Sequence, residues 1–308
     1  MSGVTDLPFR QLAFRFGAGL VVTEMVASRE LVFNAAESWS RLKGAGLTPH
    51  MVQLAGREAK WLAEAAVIAE ANGADIIDIN MGCPAKKVIG GYAGSALMRE
   101  PDHALSLIEA TVKAVRVPVT VKMRLGWDET SMNAPYLAAR AEAAGVQLVT
   151  VHGRTRMQFY EGRANWDAIA AVRDAVRIPL IANGDVETVA DAHEILRCSG
   201  ADAVMVGRSC QGRPWHAGVL AGHPAPAGHE IGTLVVEHYR AMLEHYGSEV
   251  GIRHARKHLG WYLDRQATTL SPERKAAIMT SKDADFVAEA MKNALSARTG
   301  AEARQEAA

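Results

Sequence analysis

Cysteine is scarce in this 308-residue chain. The three that occur, Cys83, Cys198 and Cys210, are too few and of the wrong parity for a disulfide framework. That excludes a disulfide-stapled secreted domain and points to a reducing compartment, the cytoplasm. Net charge is missing too, because Lys+Arg and Asp+Glu both number 34. This excludes nucleic-acid binding by a uniformly basic surface and leaves room for a local basic groove. No apolar run reaches the roughly 18 residues needed to cross a bilayer. Nor does the start carry a signal-peptide pattern, since Met1 runs straight into polar Ser2-Gly3-Val4-Thr5-Asp6. What is present is apolar content of 49%. It is enough for one large domain of about 200–250 residues and a smaller one.

Short apolar runs alternate with helical patterns. Strands are expected over residues 20–23, 51–54, 76–79, 119–123, 148–151, 179–182 and 203–206. Helices are expected over 7–16, 58–71, 102–115, 134–144, 166–175 and 186–196. Uniformly apolar strands separated by helices indicate a parallel sheet covered on both faces. The spacing fits an α/β fold of the (β/α)8 or TIM-barrel type. Such a barrel wants eight strands and seven are countable. Residues 5–16 already read as a loop and helix that follow a strand, so the first barrel strand is the missing one. A mis-assigned start codon or a true truncation accounts for it.

From Pro224 the pattern changes. Pro224-Ala225-Pro226-Ala227-Gly228 reads as a linker. Helical runs follow over 234–246, 251–264, 272–279 and 286–297, which suits a small bundle. The expected division is a catalytic barrel over 1–223, a linker over 224–231, a helical domain over 232–300 and a disordered tail over 301–308.

In a barrel of this kind the C-terminal strand ends share one pocket. They carry Glu24, Gln53, Asn80 with Cys83, Lys122 with Arg124, His152 with Arg154, Asn183-Gly184-Asp185, and Gly207-Arg208. Cys83 alone could be a small apolar filler. A polar set converging on one mouth reads as a functional pocket. Loops after the last two strands suit phosphate, through glycine backbone and the Arg208 guanidinium. Lys122 and Gln53 suit a flavin ring, where a cation stabilises the reduced anion and an amide bonds a carbonyl. Lys122 also reads as a Schiff-base lysine, with Arg124 depressing its pKa. In the helical region Arg253, Arg256 and Lys257 share one helix face by i, i+3, i+4 spacing. Trp261 and Tyr262 follow, so the stripe can track phosphates or can be an ordinary solvated face.

Several ordered segments resemble the bacterial tRNA-dihydrouridine synthases, most closely their B-type branch. They are Gly3-Val4-Thr5-Asp6-Leu7-Pro8-Phe9-Arg10, Val52-Gln53-Leu54-Ala55-Gly56 and Asp78-Ile79-Asn80-Met81-Gly82-Cys83-Pro84. Others are the run from Gly90 to Met98, Val121-Lys122-Met123-Arg124, Val151-His152-Gly153-Arg154-Thr155, Ala182-Asn183-Gly184-Asp185, Gly207-Arg208 and Arg253-His254-Ala255-Arg256-Lys257-His258. The resemblance implies an FMN-dependent oxidoreductase that saturates the C5–C6 bond of uridine in tRNA, with NADPH or NADH as reductant. It implies that Gln53, Lys122, His152, Asn183, Gly184, Asp185, Gly207 and Arg208 hold FMN. Met1 and Ser2 are what remains of a further flavin-touching segment. Cys83 becomes the proton donor to C5, after hydride reaches C6 from flavin N5. Asn80, Arg124, Arg154, Arg253, Arg256 and Lys257 become substrate contacts.

A thiol suits proton donation, because an ordinary cysteine pKa of about 8.5 keeps it protonated at neutral pH. The glycines from Gly90 to Gly94 suit a loop that orders on RNA. The expected partner is tRNA, with no membrane, no metal and a monomeric chain. Three readings stand beside this one: an FMN barrel acting on free pyrimidines, as dihydroorotate dehydrogenases do, a lyase using Lys122, and an RNA-binding relic without catalysis.

Overall fold

A computed structural model describes residues 1–267 and 270–296. They fall into two compact units. The first holds Met1–Ser2 and Leu20–Ser209, and the second holds Gly3–Gly19 and the chain from Cys210 onward.

Helix α1 (Leu7–Arg15) belongs to the second unit. The first unit opens with β1 (Val26–Ala27), α2 (Ser28–Val32), α3 (Ala36–Leu42), β2 (Met51–Ala55), α4 (Ala59–Ala71) and β3 (Ile76–Met81). Next come α5 (Lys86–Ile89), a 3-10 turn (Gly94–Arg99), α6 (Pro101–Ala114), β4 (Val119–Arg124), α7 (Ala134–Ala143) and β5 (Leu148–His152). It closes with α8 (Asp167–Ala175), β6 (Leu180–Asn183), α9 (Val189–Ser199) and β7 (Ala203–Met205). The seven strands pair in sequence order, every pair parallel. Among the described residues no ladder joins β1 to β7. The architecture is the parallel, helix-covered α/β barrel type expected, followed by helices.

Sequence chemistry explains the layers. Ile77, Ile79, Val119, Val121, Val149 and Val151 are fully or almost fully buried, as β-branched residues are in a sheet covered on both faces. In α4, Leu62, Ala65, Ala66 and Ala69 are the buried positions. Their i, i+3, i+4, i+7 spacing makes one apolar stripe. Helix α9 is framed by a Thr188–Asp191 capping box and stops at left-handed Gly200.

One expected strand is corrected. Residues 20–23 form no ladder, only a single bridge from Val22 to Met51, and β1 starts later, at Val26. The Thr23 hydroxyl is the reason: it accepts the Gln53 backbone N–H at 3.0 Å, where a continuing ladder would supply a carbonyl.

The second unit contains α1, α10 (His216–Leu220), α11 (Gly228–Tyr246), α12 (Ser248–Gln266), α13 (Pro272–Thr280) and α14 (Ala284–Ser296). Its boundary differs from the division expected at residue 223, because α1 and the chain from Cys210 join the helices. Leu12 is the physical reason. It is buried in one cluster with Trp215, Leu234, Val235, Tyr239 and Tyr262. Asp6 caps α1, accepting from the Phe9 N–H at 3.0 Å and from the Tyr246 hydroxyl at 3.2 Å. The expected tail over 301–308, and residues 297–300 of the expected helical domain, lie outside the described residues. Among the described residues no helix is long and apolar enough to cross a membrane, and no cluster of three or more His, Cys, Asp or Glu could hold a metal ion.

Candidate active site at the C-terminal strand ends

Register puts the polar residues on one face. Gln53 pairs with Asp78, Asp78 with Thr120, Asn80 with Lys122, Arg124 with His152, and His152 with Asn183. Paired residues of parallel strands point the same way, and residues two apart share a face. The side chains therefore meet rather than scatter.

Cys83 follows β3 in a turn pinned from three sides. Asn80 Oδ1 accepts its backbone N–H at 2.9 Å. Ser95 donates to its carbonyl oxygen from both N–H and hydroxyl, at 3.1 and 2.9 Å. Arg124 Nε donates to the neighbouring Gly82 carbonyl at 2.8 Å. Gly94 has to be glycine: its φ is +60°, and a Cβ there would sit 2.8 Å from the Cys83 carbonyl oxygen. The glycine segment thus holds the thiol turn close, besides any role as a loop that orders.

Lys122 donates to Asn183 Oδ1 at 3.2 Å, and Asn183 Nδ2 donates to the Met205 carbonyl at 2.8 Å. Asn183 thereby aims the lysine. Burial lowers the Lys122 pKa to about 8, helped by Arg124 and opposed by Asp78 and Cys83. Burial is also the main reason His152 is pushed down to about 2, with Lys122, Arg124, Arg154 and Arg208 adding repulsion. His152 is neutral. Its Nε2 lies 3.3 Å from Arg154 Nη1, a group that only donates, so the ring proton belongs on Nδ1.

Asp185 sits at φ +55° after β6. Its carboxylate takes Arg154 Nη1 and Nη2 at 2.8 and 2.5 Å, the Ala164 N–H at 2.8 Å and Arg208 Nη2 at 3.2 Å. Burial pushes the carboxyl up, and the Arg154 and Ala164 hydrogen bonds with the two guanidinium charges outweigh it, leaving the pKa below the ordinary value. Gly184 stands at φ +128°, and a Cβ there would come 2.7 Å from the Ala164 methyl. A Cβ on Gly207 would meet Met1 Sδ at 3.1 Å, which places Met1 at this end of the sheet; Ser2 is exposed.

Two expected substrate contacts receive a different task. The Arg124 and Arg154 side chains are each 1% exposed as residues. Arg124 Nη1 donates to the Thr155 and Phe159 carbonyls, both at 2.8 Å. Arg154 reaches the Glu161 and Gly162 carbonyls at 3.1 and 2.6 Å besides Asp185. Both are committed to shaping the loop after β5. That loop sets half-exposed Tyr160 between two cations, with Arg208 4.8 Å and Arg124 5.5 Å from its ring centroid.

The basic stripe of the second unit is uneven. Arg253 is exposed. Arg256 is half-buried and donates to the Thr280 carbonyl at 3.3 Å. Lys257 lies over Gly3, close enough that a Cβ there would clash with its Nζ.

The sequence by itself assigned no individual role to Asp78, Thr120, Ser95 or Tyr160. Asp78 had a signal: a carboxylate two residues before Asn80, in an otherwise apolar strand. Tyr160 had none, since its place depends on the loop that Arg124 shapes.

Comparison with known proteins bears on the chain as a whole. The family model described as Dihydrouridine synthase (Dus) matches residues 1–297. A protein of Rhizobium leguminosarum bv. phaseoli named "Probable tRNA-dihydrouridine synthase" is 74% identical over 297 residues, covering 96% of this chain and 94% of its own. One of the same name from Rhodobacter capsulatus is 57% identical over 289 residues, covering 90% and 88%. "tRNA-dihydrouridine synthase B" of Pseudomonas aeruginosa is 47% identical over 271 residues, covering 85% and 82%.

Proposed function

The chain belongs to the dihydrouridine synthase family, and we propose that it reduces uridines of tRNA to 5,6-dihydrouridine using FMN at the strand-end mouth and NAD(P)H as reductant. The observation that carries the reading is the thiol of Cys83, pinned at the end of β3 beside the Lys122, His152 and Asn183 cluster.

The residues present fit a flavin. Lys122 offers an ammonium aimed by Asn183. Gln53 and Asn80 each spend one amide N–H within the protein and keep another. Gly184, at a backbone angle closed to side chains, leaves bare backbone, and the Arg208 side chain is half exposed. In this proposal Gln53, Lys122 and His152 hold the ring. Gly184, Gly207 and Arg208 hold the phosphate, with Asp185 fixing Arg208. Met1 and Ser2 border the same site. FMN, when bound and reduced by NAD(P)H, supplies a hydride to uracil C6.

The chain's own residues do the rest. Cys83 gives the proton to C5, so one hydride and one proton add across the double bond and no atom is left over. His152 is no rival donor, because its neutral ring has no acidic proton to give near pH 7. Lys122, titrating near 8, is largely cationic at pH 7 and stabilises negative charge brought against it. Asn80 lies beside the uracil. The uridine reaches this mouth only after leaving its stack, which costs a few kcal/mol that binding must offset. Exposed Arg253 is assigned to phosphates of the tRNA. The setting proposed is the cytoplasm, with the chain acting as a monomer.

The test is turnover of the FMN-loaded protein with NADPH and an unmodified tRNA transcript, dihydrouridine being read by mass spectrometry. Free uracil and orotate are run in parallel. Product on tRNA alone supports the reading; reduction of the free bases with none on tRNA sinks it. Borohydride trapping of a substrate carbonyl on Lys122 would move the assignment to a lyase.

A further inference from the structure

Strand β3 carries one residue that the proposed chemistry leaves idle. Asp78 is 2% exposed, with Ile77 and Ile79 on either side. A carboxylate in a parallel-sheet interior is costly unless its oxygens are satisfied. Burial does push its pKa up, against hydrogen bonds from Thr120 and Gln53 and the charge of Lys122. Packing alone would be served better by another isoleucine or valine.

Its bonds form a directed chain. Thr120 Oγ1 donates to Asp78 Oδ1 at 2.6 Å, and Gln53 Nε2 donates to Oδ2 at 2.7 Å. Gln53 Oε1 accepts from Asn80 Nδ2 at 2.8 Å. Asn80 Oδ1 then accepts the backbone N–H groups of Cys83 at 2.9 Å and Gly82 at 3.2 Å. An amide can sit either way round in the same space. With one oxygen taken by the Thr120 hydroxyl and the other by the Gln53 amide, the Asp78 carboxyl acts here as an acceptor. Asp78 therefore turns the NH2 of Gln53 toward itself, which turns the Gln53 carbonyl to Asn80 and the Asn80 carbonyl to the Cys83 turn. Gln53 and Asn80 are 6% and 7% exposed, and both stand toward the C-terminal ends of their strands. Held in this sense, each NH2 retains a second N–H; reversed, the chain would offer carbonyl oxygens.

We infer that Asp78 is a positioning residue: acting through Gln53 and Asn80, it fixes the Cys83 turn and keeps the mouth furnished with amide N–H donors for the carbonyl oxygens of a flat heterocycle. The identity of that heterocycle rests on the flavin and uridine reading above; the fixing of the turn does not.

Hydrogen exchange on the chain without flavin tests it. In Asp78→Asn, exchange in the peptide holding Gly82 and Cys83 should rise roughly tenfold, the loss of about one hydrogen bond, while β5 and β6 peptides stay unchanged. The double variant Asp78→Asn with Gln53→Glu reverses the first bond and restores an acceptor facing Asn80. It should bring Cys83 exchange back to within about twofold of the wild type. A role in packing alone predicts no such rescue. If Asp78→Asn does not fold, Gln53→Met cuts the chain one link later and is read in the same way. Unchanged Cys83 exchange in a folded variant, faster exchange spread evenly over β2–β6, or a double variant no better than the single one would overturn the inference. Wild-type chain that fails to bind FMN would overturn the function proposed above and leave this readout standing.

Discussion

Arg154 and Asp185 hold each other by two bonds, Nη1 to Oδ1 at 2.8 Å and Nη2 to Oδ2 at 2.5 Å, with the arginine side chain 2% exposed and the carboxylate 27%. The pair joins the loop after β5 to the loop after β6. Asp185→Ala leaves a guanidinium buried without its counter-charge. It should cost about 3 kcal/mol, the low end for breaking a buried pair, because Asp185 keeps partial access to water. The Asp185 pKa lies below the ordinary value of 3.8 in the folded chain. Its contribution is therefore complete above that value and is lost as pH falls through the folded pKa. Denaturant unfolding of wild type and variant at pH 7 checks the cost. A difference under about 1 kcal/mol would show the pair to be replaceable.

Acid should weaken the second unit through a pair of buried histidines. His238 and His258 lie with ring centroids 5.1 Å apart, and His238 Nδ1 is 3.0 Å from the Tyr262 hydroxyl. Burial pushes His238 down to about 3. Burial, with His238 and its other basic neighbours, pushes His258 well below 6.5. Both folded pKa values are depressed, so the unfolded chain takes up protons that the folded one refuses. The pair leaves stability flat above about pH 6.5 and lowers it as pH falls from there, each by up to about 1.4 kcal/mol per pH unit. Exchange protection of α11 and α12 between pH 7.5 and 5 reads this directly. Equal protection at both ends of that range contradicts it.

Removing the thiol separates binding from chemistry. Cys83→Ala should keep FMN affinity, because the turn is held by backbone groups and by Asn80, Ser95 and Arg124. Turnover on tRNA should fall by roughly 10²- to 10⁴-fold, the usual contribution of a positioned acid. Undiminished turnover would remove Cys83 from the mechanism.

The three basic residues on α12 should not behave alike. Arg253→Ala should lower the salt slope of tRNA binding by about one unit and leave the melting temperature alone. Arg256→Ala should lower the melting temperature through the lost bond to the Thr280 carbonyl. Filter binding over a salt series, with melting curves alongside, distinguishes them; identical behaviour in both assays would refute the distinction.

The strands were legible where apolar residues are buried, as at Val149 and Val151 of β5. Residues 20–23 misled because one hydroxyl, that of Thr23, takes the N–H a ladder needs. The candidate site was legible as a set of strand ends, since a parallel sheet collects them by geometry. The fates of Arg124 and Arg154 were not legible. Both stand at strand ends like Lys122, and only the path of the loop over residues 155–162, with Phe159 at φ +52°, turns them toward carbonyls. Nor could local pattern assign α1 to the second unit, because Leu12 and its core partners lie some 200 positions apart in the chain.

That separation bears on how the chain is made. Residues 3–19 leave the ribosome some 200 residues before Trp215, Leu234 and Glu237, which pack with or pair to this segment. The apolar face of α1 must wait through the synthesis of the whole barrel, a delay of roughly ten seconds or more at ordinary elongation rates. Completion of the helical unit therefore comes after the barrel is made, and a ribosome stalled before residue 210 should display α1 uncovered to protease.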